Sequence, residues 1–292
     1  MMQVPQRIAY LNGEFAALDQ LKISVLDRGF LFGDGIYEMI PVYSHAIFRL
    51  DEHLARLEKN LAAISIQNPY SRSEWRRLVV SLVEQQNFAD QSIYLQVSRG
   101  PAFPRNHAFP AEVSPTVFMF SDVLEAPANL LVEQGVHAIT ATDVRWLRCN
   151  IKAISLLANV LAKQQAADAG VAETILLRDG LMIEGAASNI FIVKAGIIYA
   201  PAPSDLMLTG ITYDLLIELA EQNDLPLQLG DVTEAMLRQA DEVWLTSSSK
   251  EILAIIVLDG QPVGNGQVGP IYKRMVSFYQ DFKTTVMRRG LE

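Results

Sequence analysis

Hairpin signals that alternate with amphipathic helices are the feature that most constrains how this chain can fold. Asn12 and Gly13 form a turn signal between two short strand-like runs in AYLNGEFAAL, and IYEMIPVYSHAIFRL predicts a second hairpin. In LDEHLARLEKNLAAI the leucines recur at helical spacing and predict one apolar face, formed by Leu50, Leu54, Leu57 and Leu61. SRSEWRRLVVSLVEQQ predicts another helix, with Ser71 or Ser73 as its cap. IYLQVSRG and PTVFMFSDV then predict strands.

The second half of the chain restarts the same kind of pattern after the proline-containing segment DVLEAPANLL. VHAITATDV predicts a strand, SLLANVLAKQQAADAG a helix that stops at Gly170, and two hairpins follow around RDG and VKAG. TGITYDLLIELAEQ and IYKRMVSFYQDFKTTVMRR predict helices, and DEVWLTSSS predicts a strand that runs into a hydroxyl-rich loop. We therefore expect two α+β domains, residues 1–122 and 131–292, joined by a linker at 123–130, with a cleft between them as the pocket.

Charge and cysteine content narrow the function classes. The formal net charge of -9 and the absence of a Lys and Arg cluster argue against nucleic acid as the main partner. No apolar segment of the sequence is long enough to cross a bilayer, and a cytoplasmic protein is expected. One cysteine, Cys149, allows no intramolecular disulfide, and four scattered histidines make no metal site, so chemistry is expected from side chains or an organic cofactor.

Lys152 is the first candidate for chemistry, because RCNIKAISLL places it between Ile151 and a run of apolar residues. A desolvated lysine has a lowered pKa, and a neutral amine can attack a carbonyl to form a Schiff base. On the local sequence alone the alternative stays open that the stem reaches the surface and the ammonium remains in water.

Three further segments supply groups that a phosphorylated heterocycle would need. Glu184 ends a strand before small residues in IEGAASN, where a carboxylate could pair with a protonated ring nitrogen, although it could equally lie at a hairpin end in water. Residues 209–212, TGIT, and 246–248, TSS, offer hydroxyls and helix N-H groups for a phosphate, although either could be an ordinary cap. A lysine, a carboxylate and a phosphate cradle together indicate pyridoxal 5'-phosphate.

These motifs in this order resemble the class IV aminotransferases, which are fold-type IV pyridoxal-phosphate enzymes, over almost the whole chain. RCNIK, IEGAASN, LTGIT and LDRGFLFGDGIYE carry the resemblance, and RGPAFPRNHAFP looks like the D-amino-acid (D-alanine) branch of the family. The resemblance implies an α+β, two-domain enzyme with the cofactor in the interdomain cleft.

The resemblance also implies roles for individual residues. Lys152 would bind the cofactor aldehyde as a Schiff base and act as nucleophile and proton carrier. Glu184 would hold the pyridine nitrogen, and the other cofactor contacts implied are Arg56, Leu208, Ile211, Thr212 and Ser248. Tyr37, Arg105 and His107 would bind the substrate carboxylate, with the loop 101–110 coming from the second subunit of a homodimer.

The activity implied is transfer of an amino group between D-amino acids, of the D-alanine and D-glutamate type, and 2-oxo acids with ping-pong kinetics. A branched-chain L-amino-acid aminotransferase and an aminodeoxychorismate lyase share the cofactor residues and stay open, as does a scaffold without activity. Ala186 and Ala187 stand where the family often has serine, so cofactor contacts there could be missing. DRG at 27–29 and FGDG at 32–35 are interpreted mainly as turns that aim Tyr37.

Overall fold

The computed structural model describes residues 7–288, which separate into two compact units. Unit 1 contains residues 7–125 together with 151–156 and 287–288, and unit 2 contains 126–150 and 157–286. The boundary falls inside the predicted linker 123–130. The short segment that carries Lys152 clusters with unit 1, although the sequence pattern placed it in the second domain.

Unit 1 is a helix-covered antiparallel sheet. Its elements are β1 (Ile8–Leu11), β2 (Glu14–Ala17), α1 (Arg28–Phe32), β3 (Gly35–Tyr43), β4 (Ala46–Ile47), α2 (Leu50–Ala63), α3 (Arg72–Glu84), β5 (Gln91–Ser98) and β6 (Thr116–Val123). In the described residues the sheet runs β2-β1-β6-β5-β3-β4. The turns of both predicted hairpins are confirmed, since Asn12, Ser44 and His45 have positive φ angles of 48°, 50° and 65°.

The core of unit 1 lies between this sheet and helices α2 and α3. All four leucines predicted for one face of α2 are buried. Trp75 and Val79 of α3 are fully buried against the same cluster. Ser71 caps α3 in a capping box with Glu74, which identifies it, rather than Ser73, as the cap.

The segment 151–156 joins unit 1 through the backbone of β3. Tyr37 N donates to Lys152 O at 2.9 Å, and Ile154 N donates to Gly35 O at 3.0 Å. Ile151 and Ala153 are buried in the core cluster of unit 1. The segment therefore forms backbone hydrogen bonds with the first residues of β3, beside Tyr37.

Unit 2 is built on a larger mixed sheet with helices around it. Its elements are α4 (Asn129–Gln134), β7 (Val136–Thr142), α5 (Leu157–Asp168), β8 (Glu173–Arg178), β9 (Leu181–Gly185), β10 (Asn189–Lys194), β11 (Ile197–Pro201), α6 (Ile211–Gln222), β12 (Leu227–Gly230), α7 (Glu234–Arg238), β13 (Glu242–Ser247), β14 (Glu251–Leu258), β15 (Gln261–Pro262) and α8 (Pro270–Phe282). Over the part of the chain that is described, the sheet order is β12-β11-β10-β13-β14-β7-β8-β9, with β15 beside β14. The hairpins predicted around RDG and VKAG are β8-β9 and β10-β11.

The core of unit 2 is formed by the apolar faces of its central strands. Ile190, Ile192, Val243, Leu245 and Leu253 of adjacent strands are all nearly or fully buried. These strands read as almost continuous apolar runs, because both faces of the sheet are covered there. None of the helices within residues 7–288 is long and apolar enough to cross a membrane.

Two parts of the sequence were interpreted too simply. The segment DRGFLF is not only a turn, because Asp27 accepts from Gly29 N at 2.7 Å and caps the short helix α1. Helix α4 begins in the last two residues of the predicted linker and continues beyond it, and β12, α7, β14 and β15 were not predicted either. These elements are short or, in β14, an unpunctuated apolar run that gives no clear period.

Candidate active site

Lys152 of unit 1 points its ammonium at an aromatic side chain. Its Nζ lies 4.2 Å from the ring centroid of Tyr37, a distance at which a cation is attracted to the ring face. Tyr37 stacks in turn on Tyr94, with ring centroids 5.7 Å apart. Lys152 was expected to be buried and is only partly so, because side chains alternate along the extended segment and its neighbours Ile151 and Ala153 take the core side.

A buried ionic cluster lies directly beside Tyr37 in sequence. Glu38 receives Arg56 Nε at 2.8 Å and Arg56 Nη2 at 2.6 Å, and His53 Nδ1 lies 2.8 Å from its Oε2. Burial alone would raise the pKa of Glu38, but the charge and hydrogen bonds of Arg56, helped by His53, lower it to about 2. The pKa of His53 is lowered, because burial outweighs the opposite effect of Glu38.

Arg56 is thus held in one orientation by a bidentate carboxylate partner. Its predicted phosphate contact stays a prediction. The cluster contains two residues that the sequence interpretation missed, Glu38 and His53. The available signal was that His53 and Arg56 are three residues apart on α2, so they share one helix face.

Arg105 and His107 lie together on the aromatic ring of Phe32. The guanidinium carbon of Arg105 is 4.3 Å from the ring centroid, and the imidazole centroid of His107 is 5.3 Å from it. Both side chains are exposed. The structure brings these two predicted residues together, and their meeting with the substrate and with Tyr37 stays a prediction.

In unit 2, Glu184 is buried at the end of β9 and paired with an arginine. Arg145 Nη1 donates to Glu184 Oε1, and Leu208 N donates to Glu184 Oε2 at 3.2 Å. Arg145 is itself fixed by two hydrogen bonds of 2.9 Å to Asp143. Glu184 and Leu208, which were predicted separately, are therefore in direct contact.

The charges around Arg145 reinforce one another. Burial by itself would lower the pKa of Arg145, but hydrogen bonding to Asp143 and the charge of Glu184 raise it above its ordinary range. For Asp143, burial by itself would raise the pKa, but the hydrogen bonds and charge of Arg145 outweigh burial and lower the pKa. Arg178 contacts the same carboxylate at 3.1 Å. Asp143 and Arg145 were missed in the sequence, where the polar residues of TDVRW give no motif.

The loop before α6 packs closely against the side chain of Asn189. A Cβ added at Gly210 would lie 2.5 Å from Asn189 Oδ1, so a larger residue there would have to displace the Asn189 amide. Asn189 Nδ2 donates to Leu208 O at 2.8 Å, and Asn189 pairs with Thr246 across strands β10 and β13. Asn189 therefore contacts both the loop 208–210 and the end of β13.

Thr212 in the first turn of α6 carries an unsatisfied polar atom. Its Oγ1 is buried and, within residues 7–288, has no hydrogen-bond partner. The first N-H groups of a helix also lack intrahelical acceptors, and α6 has no side-chain cap in the described structure. Ile211, Thr212 and the half-buried Ser248, in the turn after β13, thus offer donors that suit a phosphate monoester.

The positions of Ala186 and Ala187 differ from each other. Ala186 is buried, with its N-H bonded to Thr174 O and its carbonyl accepting from Asn159 Nδ2, both at 2.9 Å. Ala187 is exposed. Next to them, Ser188 Oγ donates to the fully buried Glu173 at 2.9 Å, so the loop keeps one serine anchor.

The family model of amino-transferase class IV matches residues 35–257, a range that contains Tyr37, Lys152, Glu184, Thr212 and Ser248. The chain belongs to the class IV aminotransferases. The resemblance found in its motifs is confirmed, and so is the α+β fold of this family.

Relatives of this class IV aminotransferase extend over nearly the full chain. A D-alanine aminotransferase of Bacillus licheniformis is 40% identical over 270 residues, covering 92% of this chain and 95% of the relative. One from Staphylococcus epidermidis is 39% identical over 274 residues, with coverages of 94% and 96%.

Two solved structures of other enzymes share the fold. The branched-chain aminotransferase of Thermoproteus uzoniensis with norvaline superposes with a TM-score of 0.85 at 27% identity, covering 97% of this chain and 96% of that one. The 4-amino-4-deoxychorismate lyase of Pseudomonas aeruginosa gives 0.81 at 29% identity, with coverages of 96% and 99%.

Replacing Glu38 tests the buried cluster through pH. The pKa of Glu38 falls on folding from an ordinary 4.5 to about 2, so its contribution to stability is present above 4.5 and lost as pH falls toward 2. At pH 7, Glu38→Gln should lower the free energy of unfolding by about 3 kcal/mol, because Arg56 loses its buried partner. Urea unfolding at pH 7 and pH 3.5 should show the gap between parent and variant narrowing at the lower pH. A gap that stays constant or widens would contradict the assignment.

Thr212→Val and Thr246→Val form a matched pair. Thr246 Oγ1 donates to Glu251 O at 2.8 Å, so its loss should cost about 1 kcal/mol of unfolding free energy in cofactor-free protein. Thr212→Val should cost less than about 0.5 kcal/mol, because that hydroxyl has no described partner. An absorbance titration should show the dissociation constant for pyridoxal 5'-phosphate rising about tenfold in Thr212→Val. Equal destabilisation by both variants, or unchanged cofactor affinity, would refute the phosphate role of Thr212.

Proposed function

We propose that this class IV aminotransferase is a pyridoxal-phosphate-dependent transaminase that moves amino groups between D-amino acids and 2-oxo acids. The observation that carries the choice of substrate is the pair Arg105 and His107 on the ring of Phe32, a two-residue anion clamp. The D-alanine aminotransferase relatives support the same assignment. We propose the cytoplasm as its location, because the one cysteine of the sequence allows no intramolecular disulfide.

Lys152 is the proposed nucleophile and proton carrier. When bound, pyridoxal 5'-phosphate supplies an electrophilic aldehyde and an electron-accepting ring. Lys152 would hold the cofactor through its amine and, when that amine is free, would move the proton at the substrate α-carbon. The ring of Tyr37, whose centroid lies 4.2 Å from Nζ, restricts the orientation of the amine and shields one side of it from water.

Glu184 is proposed to hold the proton on the pyridine nitrogen. The support is its burial and its fixed contacts with Arg145 and Leu208 N, which leave the carboxylate little freedom to rotate. Leu208 is proposed to pack against the ring, since its backbone is anchored by both Glu184 and Asn189. The electron-accepting power of the ring depends on this carboxylate staying in place.

The phosphate is assigned to Ile211, Thr212, Ser248 and Arg56. Thr212 supports the assignment most directly, because a buried hydroxyl without a partner is costly unless a ligand satisfies it. Arg56 contributes positive charge, and Glu38 fixes the direction of its guanidinium. Helix α6 adds the favourable field of its N-terminus.

The hand of the substrate follows from the position of the carboxylate. Tyr37, Arg105 and His107 are proposed to bind it, and the α-hydrogen has to face Lys152 for proton transfer. The side chain then has one direction left, and the D-alanine aminotransferase relatives support the D arrangement. A guanidinium can hold a carboxylate by two parallel hydrogen bonds, which a lysine could not copy.

Assays of the parent and of Lys152→Ala test this function. The parent should turn over D-alanine and D-glutamate with 2-oxoglutarate or pyruvate faster than L-leucine or L-valine. Borohydride should bleach the visible absorption of the parent and fix the cofactor to Lys152. Lys152→Ala should fold normally and lose turnover by at least about a thousandfold, because nucleophile and proton carrier vanish together. A Lys152→Ala enzyme near parental activity would refute the role.

The alternative is a branched-chain L-amino-acid aminotransferase or a lyase. The fold likeness to solved structures of both kinds favours keeping it as the second candidate. Faster turnover of L-leucine than of any D-amino acid would select the first, and release of pyruvate from aminodeoxychorismate without an acceptor would select the second.

We further propose a homodimer whose loop 101–110 completes the neighbour's site. Large apolar side chains that are exposed in and near this loop support it: Ile23, Val25, Leu26, Phe30, Phe103 and Phe109. The segment of Leu26 is joined to the loop by a hydrogen bond from Ala102 N to Leu26 O at 3.3 Å. Contiguous exposed apolar surface is typical of contact with another protein chain, and we assign the contact to a second copy.

Mixing two inactive or weakened variants tests whether the loop crosses. Lys152→Ala keeps Arg105, and Arg105→Ala keeps Lys152, so a mixed dimer contains one intact site only if the two residues come from different subunits. Refolding the pair together should restore the low KM for D-alanine in a fraction of the sites. Each variant refolded alone is the control. No recovery, in mixtures that sedimentation shows to be mixed dimers, would place the loop in its own subunit's site.

A further inference from the structure

Arg28, at the start of α1, holds the backbone of the loop that carries Arg105 and His107. Its side chain is almost fully buried. Nη1 donates to Asn106 O at 2.5 Å and, more weakly, to Ala108 O at 3.4 Å, while Nη2 donates to His107 O at 3.1 Å. One guanidinium therefore bonds three successive peptide carbonyls of the loop.

The ring of Phe32 completes this arrangement from the same helix. Arg28 lies with its guanidinium carbon 4.7 Å from the ring centroid, on which Arg105 and His107 also rest. Arg28 thus fixes the loop backbone, and Phe32, four residues on, fixes the two side chains. The contacts of Arg28 and Phe32 come from the same side of α1, because residues four apart lie on one helix face.

Asp34 sets the direction of the Arg28 guanidinium. It accepts Arg28 Nε at 2.7 Å and Arg99 Nε at 2.8 Å. Burial would raise the pKa of Asp34, but the hydrogen bonds of Arg99 and Arg28 outweigh it and lower the pKa. Arg99 lies with its guanidinium carbon 3.6 Å from the ring centroid of Phe109, which gives the far side of the same loop a second support.

We propose that Arg28 is a positioning residue for substrate-carboxylate binding, acting through the backbone at 106–108, and this rests on the proposed function of Arg105 and His107. The loop has no regular secondary structure and is exposed along most of its length. Without the guanidinium it would sample many conformations, and substrate binding would have to order it at an entropic cost. This cost should raise KM for carboxylate substrates and leave the rate of proton transfer at Lys152 nearly unchanged.

Substitution of Arg28 by Gln and by Lys separates the hold on the loop from a general structural effect. Arg28→Gln should raise KM for D-alanine about tenfold or more and leave kcat within about threefold. Arg28→Lys should have a KM between those of the parent and of Arg28→Gln, because a lysine keeps the charge but its single ammonium cannot span three carbonyls. Arg72→Gln, which removes an exposed arginine paired with Glu58, is the control and should match the parent.

Trypsin gives a readout that does not depend on activity. Cleavage after Arg105, identified by mass spectrometry of the fragments, should be about tenfold faster in Arg28→Gln than in the parent at equal folded fraction, because a released loop enters the protease site more readily. If Arg28→Gln does not fold, Arg28→Lys and Phe32→Leu carry the same comparison. Phe32→Leu keeps the bonds from Arg28 and should raise KM with less gain in cleavage.

The outcomes separate the two proposals. Unchanged KM, or unchanged cleavage after Arg105, would overturn the positioning role of Arg28 while the parent still turned over D-alanine. A fall in kcat with constant KM would also overturn it. A parent without activity on any D-amino acid would defeat the proposed function, and the trypsin comparison would still decide whether Arg28 holds the loop.

Discussion

The backbone pairing of residues 152–154 with β3 is the interaction on which the rest of unit 1's chemistry depends. Two hydrogen bonds, from Tyr37 N to Lys152 O and from Ile154 N to Gly35 O, put the lysine beside the tyrosine ring. Gly35 lets β3 lie close to both neighbours, since a Cβ there would lie 2.6 Å from Val97 O of β5 and 3.0 Å from Ile154 Cδ1. Burial of Ile151 and Ala153 in the core then holds the segment in register, so an apolar pattern determines where a polar side chain points.

Arginine and carboxylate pairs recur at three groups of candidate site residues. Arg56 is fixed by Glu38, Arg145 joins Asp143 to Glu184, and Arg28 is fixed by Asp34. Buried charges of this kind contribute little net stability, because desolvation offsets most of their attraction. What they supply is a single orientation, since a planar guanidinium held by a carboxylate cannot rotate. Groups that have to meet a ligand in one geometry are thereby ordered before it binds.

Local sequence patterns predicted the elements with clear periods and strong turn residues. The hairpins at Asn12 and Gly13 and at RDG, and the leucine face of α2, depend on neighbours close in sequence, so the chain itself reveals them. Local chemistry also indicated Lys152, Glu184 and the two hydroxyl-rich segments, and the family resemblance added the remaining candidate site residues, Arg56, Leu208, Tyr37, Arg105 and His107. Neither source indicated Glu38, His53, Asp143 or Arg145, because their partners are contributed by other elements or by unpatterned loops. The assignment of 151–156 to unit 1 was missed for the same reason, since its partner strand lies more than a hundred residues earlier.

The motif LDRGFLFGDG shows how one short stretch can serve several physical requirements that a turn interpretation hides. Asp27 caps α1 and also accepts from Ser98 and Thr116, which ties the helix to strands β5 and β6. Gly33 ends the helix at φ 66°, a conformation that costs other residues free energy. With its ends fixed in this way, α1 presents Arg28 and Phe32 to one loop. The geometry of a proline-rich loop without regular secondary structure is thus determined by a five-residue helix, because both ends of that helix are anchored.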